Sequence, residues 1–292
     1  MSSNSGLKTL HALVSMMDEP DEAIYSSLKK KVLSFKEDAV PVLEEAWMAA
    51  NNLLVVSRLE ELMEEINFKL VHNRLEYWLS NETGELHKAL IIVNKLHNKD
   101  LDEDKLNQAV DLLFKDAWLE MNENLTALEK IKVLNHIFFK VHHFNTSPAN
   151  NDNLSDFFVA HLMESKEGNP SSMGLLYLAT AQYLKQPVYG VNLPGHLILA
   201  FTDDRHRIKE GSNYTRDDIL FYINPFNRGA VFTENEIELY ISQVKLKKEP
   251  HYFLPADNRS IILRYLKELH LAYTSDDRKQ KADNVSKLLK LF

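Results

Sequence analysis

Apolar residues recur at helical spacing through most of this chain. The exceptions gather in one stretch past its middle. Leu10, Leu13, Val14 and Met17 form a first stripe that stops at Asp18-Glu19-Pro20-Asp21. Ile24, Leu28, Val32 and Phe35 form a second, and Pro41 suits the first turn of a helix carrying Val42, Leu43, Ala46 and Trp47. Leu59, Leu62, Met63 and Ile66 continue the pattern, which leaves Glu60, Glu61, Glu64 and Glu65 for an outward face. Helices are predicted over 86–96, 104–121 and 127–142, with Trp47, Trp78 and Trp118 read as core residues of such stripes.

The polar stretch Ser80-Asn81-Glu82-Thr83-Gly84-Glu85 marks a first boundary, and 145–153, with Pro148, reads as a loop. Beyond it the periodicity changes. A helix is predicted over 154–163, a turn at Gly168-Asn169-Pro170, and then the most apolar helix of the chain over 171–184. Short β-rich runs follow at 188–191, 197–201 and 219–223, separated by the polar stretch 203–218, which reads as an exposed hairpin loop. Helical patterning returns after Asp257, with Ile261, Ile262, Tyr265, Leu266 and Leu269, then Val285, Leu288 and Leu289. The expected organisation is a helical domain over 1–82, an α+β core over 83–254 and a helical hairpin over 255–292. The short N-terminal helix pairs look like HEAT-type units, which cannot bury their own faces alone.

Composition narrows the function. Only 8 glycines in 292 residues disfavour a loop-rich all-β fold, and a net charge of −8 argues against a general nucleic-acid binder. No apolar run approaches the roughly 20 residues of a membrane span. The opening Met1-Ser2-Ser3-Asn4-Ser5-Gly6 lacks the basic and apolar regions of a signal peptide, so a cytoplasmic protein is expected. The absence of cysteine removes disulfides, thiolate metal sites and a cysteine nucleophile together.

That absence matters because of three features taken in order. Gly168-Asn169-Pro170-Ser171-Ser172-Met173 opens the apolar helix, Pro194-Gly195-His196 introduces a strand, and Tyr222-Ile223-Asn224-Pro225-Phe226-Asn227 closes another. A helix N-terminus, a histidine and an asparagine in this order are what papain- and transglutaminase-type cysteine enzymes present. With Asn169 as N-cap and Pro170 at the first position, Ser171 or Ser172 sits in the first turn, where unpaired N–H groups and the helix dipole favour negative charge. A serine there needs a base, for which His196 is the candidate, with Asn224 to hold the imidazole tautomer. The same residues also have plain uses as caps, a strand side chain and an Asn-Pro turn. His136, His142 and His143 lie close in sequence, but their spacing does not turn two imidazoles neatly toward one metal. No metal or cofactor is expected.

The strings Leu193-Pro194-Gly195-His196 and Asn224-Pro225-Phe226-Asn227, with Gly168-x-Pro170 and Leu175-Leu176-Tyr177-Leu178, resemble the bacterial SirB-type transglutaminase-like family over about 153–228. Pro255-Ala256-Asp257-Asn258-Arg259 and Leu263-Arg264-Tyr265-Leu266 are similar to that family's C-terminal helices, which continue into tetratricopeptide repeats in longer members. The resemblance implies a mostly helical α+β fold: a transglutaminase-like (papain-like) core with a small antiparallel sheet, flanked by helical hairpins. Family members carry serine or threonine where active transglutaminases have cysteine, and the usual aspartate before Pro225 is here Asn224. The expected function is therefore a degenerate, non-catalytic module that binds a protein or peptide or is regulatory. The alternatives are a serine-dependent amide or ester hydrolase or acyltransferase using Ser171 or Ser172, His196 and Asn224, and a helical-repeat adaptor.

Overall fold

The computed structural model describes residues 3–147, 153–203 and 214–292. Pro148 and most of the polar stretch 203–218 fall outside them. Packing divides the chain into two compact units, residues 1–74 with 95–100 and residues 75–94 with 101–292.

The first unit follows the apolar stripes. Helices α1 (Ser3–Val14), α2 (Glu22–Leu33), α3 (Val40–Ala49) and the start of α4 (Leu53–Asn81) bury Leu10, Val14, Met17, Leu28, Val32, Leu43, Leu59, Leu62, Met63 and Ile66 together. Asp21 caps α2 by accepting from the backbone N–H groups of Ala23 (2.8 Å) and Ile24 (3.1 Å). Arg58 is the polar exception in this core, only 5% exposed. Its guanidinium donates to the Met17 and Glu19 carbonyls at 3.0 and 2.7 Å, reaches Glu22 at 2.8 Å, and lies 3.8 Å from the Tyr25 ring centroid. On the outer side of α4, Lys29 pairs with Glu61 (2.6 Å) and Glu65 (2.9 Å).

The second unit contains α5 up to Asn94 (α5 is Leu86–His97), α6 (Glu103–Glu120), α7 (Ala127–His136) prolonged by a wider turn Ile137–Val141, α8 (Val159–Ser165) and α9 (Pro170–Tyr183). A four-stranded antiparallel sheet runs β3 (Val188–Leu193), β4 (His196–Thr202), β5 (Ile219–Asn224), β6 (Ala230–Phe232), in that order. The two-residue strands β1 (Asn145–Thr146) and β2 (Glu167–Gly168) pair in parallel. Helices α10 (Glu234–Gln243), α11 (Asn258–Ser275) and α12 (Lys279–Leu289) complete the unit, with α11 and α12 packed on each other and α11 on β3. The fold is α+β, mostly helical, as the sequence pattern implies.

Strand alternation decides what each face of the sheet meets. Gly190, Leu197 and Leu199 look toward α9 and α11. A Cβ on Gly190 would lie 2.4 Å from Ile261 Cδ1 and 3.3 Å from Leu178 Cδ2, and one on Gly174 would lie 2.9 Å from Leu197 Cδ2. The opposite face buries Val191, Leu193, Ile198, Ala200 and Tyr222 against Ile237 and Ile241 of α10 and against Phe253. α9 is buried at every residue from Ser171 to Ala181, in keeping with a helix apolar all round.

Three sequence expectations are corrected. Of the three tryptophans only Trp78 is core, fully buried with its indole N–H on the Glu85 carbonyl at 3.0 Å. Trp47 and Trp118 are 42% and 64% exposed, because helical spacing fixes which residues share a stripe but not whether a neighbour covers it. The run 154–163 is not one helix: Phe158 takes an extended conformation (φ −102°, ψ 132°) between a 3₁₀ turn, Leu154–Phe157, and α8. Strands β1, β2 and β6 have no counterpart in the sequence reading, being two or three residues long.

Candidate functional site

The start of α9 is the best-defined polar feature of the second unit. Asn169 is in extended conformation (φ −87°, ψ 176°), and its side-chain oxygen accepts from the N–H groups of both Ser171 and Ser172 at 3.0 Å. Pro170 has no N–H, and that of Met173 donates to the Asn169 carbonyl at 3.1 Å. The N–H groups of Ser171 and Ser172 are thus engaged within the cap, and that of Asn169 donates to the Asp156 carbonyl at 3.2 Å, so no donor of the first turn is left open.

The two serine hydroxyls diverge, as adjacent helical residues must. Ser172 is fully buried and donates to the Asp156 carbonyl at 2.5 Å, with longer contacts of 3.4 Å to the Asn169 carbonyl and side chain. Ser171, 7% exposed, donates to Glu268 Oε2 on α11. Glu268 is in turn paired through Oε1 with Arg264 Nε at 2.8 Å, and Arg264 Nη1 donates to the Leu193 carbonyl at 2.7 Å. Asp156 is 3% exposed and meets His161 Nε2 at 3.3 Å, while its other carboxylate oxygen has no partner among the described residues.

His196 opens β4, opposite Leu193. Since Leu197 turns to the α9 face, alternation sends the imidazole to the α10 face, where it meets the Tyr240 ring edge-on at 5.1 Å. The Tyr240 hydroxyl donates to the Pro194 carbonyl at 2.8 Å, which steadies the Pro-Gly turn. His196 is exposed at the strand start, yet partial desolvation, with the Arg264 charge adding to it, lowers its pKa below the ordinary value. Asn224 ends β5 opposite Ala230, and its side-chain oxygen accepts from the Asn227 N–H at 3.2 Å to cap the 3₁₀ turn Pro225–Asn227. Register places His196 and Asn224 on one face of the sheet, yet no hydrogen bond joins them, and none joins His196 to either serine.

A second network ties α9 to that turn. Tyr177, buried, donates to Asn135 Oδ1 at 2.8 Å, and Asn135 Nδ2 donates to the Gly229 carbonyl at 3.0 Å. Burial pushes the Tyr177 phenol far up, so it acts only as a neutral donor. Gly229 has φ +68°, and a Cβ there would lie 1.8 Å from Asn135 Oδ1.

The model of the Transglutaminase-like superfamily matches residues 104–267, more than half of the chain. The chain belongs to the transglutaminase-like superfamily. Among similar proteins, the UPF0162 protein of Xylella fastidiosa (strain Temecula1 / ATCC 700964) is 23% identical over 231 residues, covering 73% of this chain and 74% of that one. The UPF0162 protein of Buchnera aphidicola subsp. Schizaphis graminum is 26% identical over 179 residues, covering 60% and 61%. F-box only protein 21 of Mus musculus is 27% identical over 113 residues, which is 39% of this chain but 17% of that protein. No solved structure matches.

The sequence pattern gives Asn169 and the two serines at the start of α9, but not Glu268, Asp156 or His161, whose places are set by tertiary packing. Arg264 and Glu268 are legible as an i,i+4 ion pair of a helix. That the pair receives a serine 97 residues away is not. Of the three histidines weighed for metal, His142 is instead paired with Asp116 at 2.9 Å. Among the described residues no helix is long and apolar enough to cross a membrane.

Proposed function

We propose that this transglutaminase-like protein does no nucleophilic chemistry and serves as a protein- or peptide-binding module, without metal or cofactor. The observation that carries the reading is the closed cap of α9. An acyl-transfer site needs N–H donors aimed at the developing oxyanion, whereas here Asn169 takes those of Ser171 and Ser172. Two further observations support it: the serine hydroxyls donate to Glu268 and to the Asp156 carbonyl, and the His196 ring lies on the α10 side of the sheet. In this reading the chain is a SirB-type member in the cytoplasm, with HEAT-like helices over 1–82, the core over 83–254 and a tetratricopeptide-like hairpin over 255–292. Its net charge of −8 disfavours nucleic acid as the partner.

The test is intact-mass analysis after fluorophosphonate and acylating probes, on wild type and on Ser171→Ala, Ser172→Ala and His196→Ala. The expected result is no adduct on any of the folded proteins. A stoichiometric adduct lost in one serine variant and in the histidine variant would overturn the reading in favour of a serine hydrolase or acyltransferase.

A further inference from the structure

Large apolar side chains stand in solvent where α3 gives way to α4 in the first unit. Leu53 is 86% exposed and Met48 74%, with Trp47 and Leu54 at 42% and 45%. A single exposed leucine is ordinary. Four large apolar residues gathered over 47–54 form the kind of surface that marks an interaction site.

The corner is held in place. Asn52 caps α4, its side-chain oxygen accepting from the Leu54 N–H at 2.9 Å and its carbonyl from the Val56 N–H at 3.0 Å. Trp47 is tied across to α4, its indole N–H donating to Glu60 Oε1 at 3.0 Å. Leu53, Ser57 and Glu60 recur at i, i+4 and i+7, so Leu53 shares one outward face of α4 with the residue that pins Trp47. On α3, Glu44 and Glu45 stand one turn before Met48.

The border of this surface has one sign. Over residues 41–60 the acidic residues are Glu44, Glu45 and Glu60, none of them in an ion pair among the described residues. The basic residue of that stretch, Arg58, is turned into the core onto the Met17 and Glu19 carbonyls. A partner that covers the apolar residues must therefore bring cations to the edge. A second copy laid patch on patch would set these carboxylates against one another, and an anionic lipid surface would be repelled. Among the described residues the first unit has helices and no strand, so it offers no sheet edge for an extended peptide to pair with. The fitting occupant satisfies its own backbone, as a helix does.

We propose that the α3–α4 corner docks a basic amphipathic helix of another protein. Its apolar face covers Trp47, Met48, Leu53 and Leu54, and its lysines or arginines flank that face toward Glu44, Glu45 and Glu60. This rests on the protein-binding reading above and gives it a surface. The two fail separately: an adduct on a serine would leave this corner untouched, and lost docking would leave the closed cap of α9 as it is.

The experiment is fluorescence polarisation with the full chain and labelled peptides of about 16 residues. One is a leucine–lysine amphipathic helix, one has every lysine replaced by glutamate, and one is a scramble of equal charge without an apolar stripe. The first is expected to bind at micromolar concentration, more weakly as salt rises, and the other two at least tenfold more weakly. Met48→Gln combined with Leu53→Gln should weaken binding at least tenfold at unchanged Tm, since both side chains already stand in water. Glu44→Gln, Glu45→Gln and Glu60→Gln together should weaken it about tenfold and flatten its salt dependence, while glutamine at 60 keeps an acceptor for Trp47. Equal binding of the amphipathic and scrambled peptides, unchanged binding in the Met48→Gln, Leu53→Gln variant, or no binding at all would each overturn the proposal. So would a dimer in sedimentation velocity, or flotation with phosphatidylglycerol vesicles, that this variant abolishes; the corner would then belong to a second copy or to a membrane.

Discussion

Gly229→Ala tests the link between the buried helix and the Asn-Pro-Phe-Asn turn. The backbone at 229 is left-handed, at φ +68°, so any L side chain pays about 1 kcal/mol for that conformation alone. The new Cβ would also fall 1.8 Å from Asn135 Oδ1, far inside contact distance. Asn135 cannot swing aside freely, because it accepts from Tyr177 and donates to the Gly229 carbonyl. Moving it breaks both bonds and strands a buried phenol, at about 1–1.5 kcal/mol each. The sum is a loss of roughly 3–4 kcal/mol. In an Asn135→Ala background the clash and both bonds are already gone, so Gly229→Ala should cost only about 1 kcal/mol. Urea denaturation followed by circular dichroism and tryptophan fluorescence measures all four corners of the cycle. Equal costs of Gly229→Ala in the two backgrounds would refute the reasoning.

Other outcomes follow from the same structure. Arg58→Ala should destabilise the first unit by about 2–4 kcal/mol, since it leaves two buried carbonyls without donors, and Arg58→Lys should restore little because one ammonium cannot reach Met17, Glu19 and Glu22 together; differential scanning calorimetry reads this directly. Tyr177→Phe should cost about 1–2 kcal/mol in urea, as Asn135 Oδ1 loses its donor. Burial lowers the pKa of His142, against the opposing pull of Asp116, and burial lowers that of His87 as well. The unfolded chain therefore binds more protons below the ordinary histidine pKa of about 6.5, so stability is complete above that pH and falls as pH drops through it. Tm should decline from pH 7.5 to 5.5, and less steeply in His142→Asn; an unchanged slope would assign the effect to other groups.

The local order of elements was written in the sequence. The 3.6-residue stripes place the first helices and their shared core, Asn169-Pro170 fixes where α9 begins, and its unbroken apolar run from Met173 dictates burial on all sides. Alternation marks β3, β4 and β5, and the turn strings carry the family resemblance. These are properties of neighbours in the chain, which propensity and periodicity can reach. What the side chains of the site do was decided only by tertiary structure. Ser171 finds Glu268, Ser172 finds the Asp156 carbonyl, and Asn135 joins Tyr177 to Gly229, each across a separation that no local rule spans. The direction of His196 depends on which face of the sheet α9 covers, and one residue of register would reverse it. The same holds for Trp118 and Lys130. Helical spacing marks one as apolar and the other as polar, but only tertiary packing leaves the ring 64% exposed and covers all but 8% of the lysine.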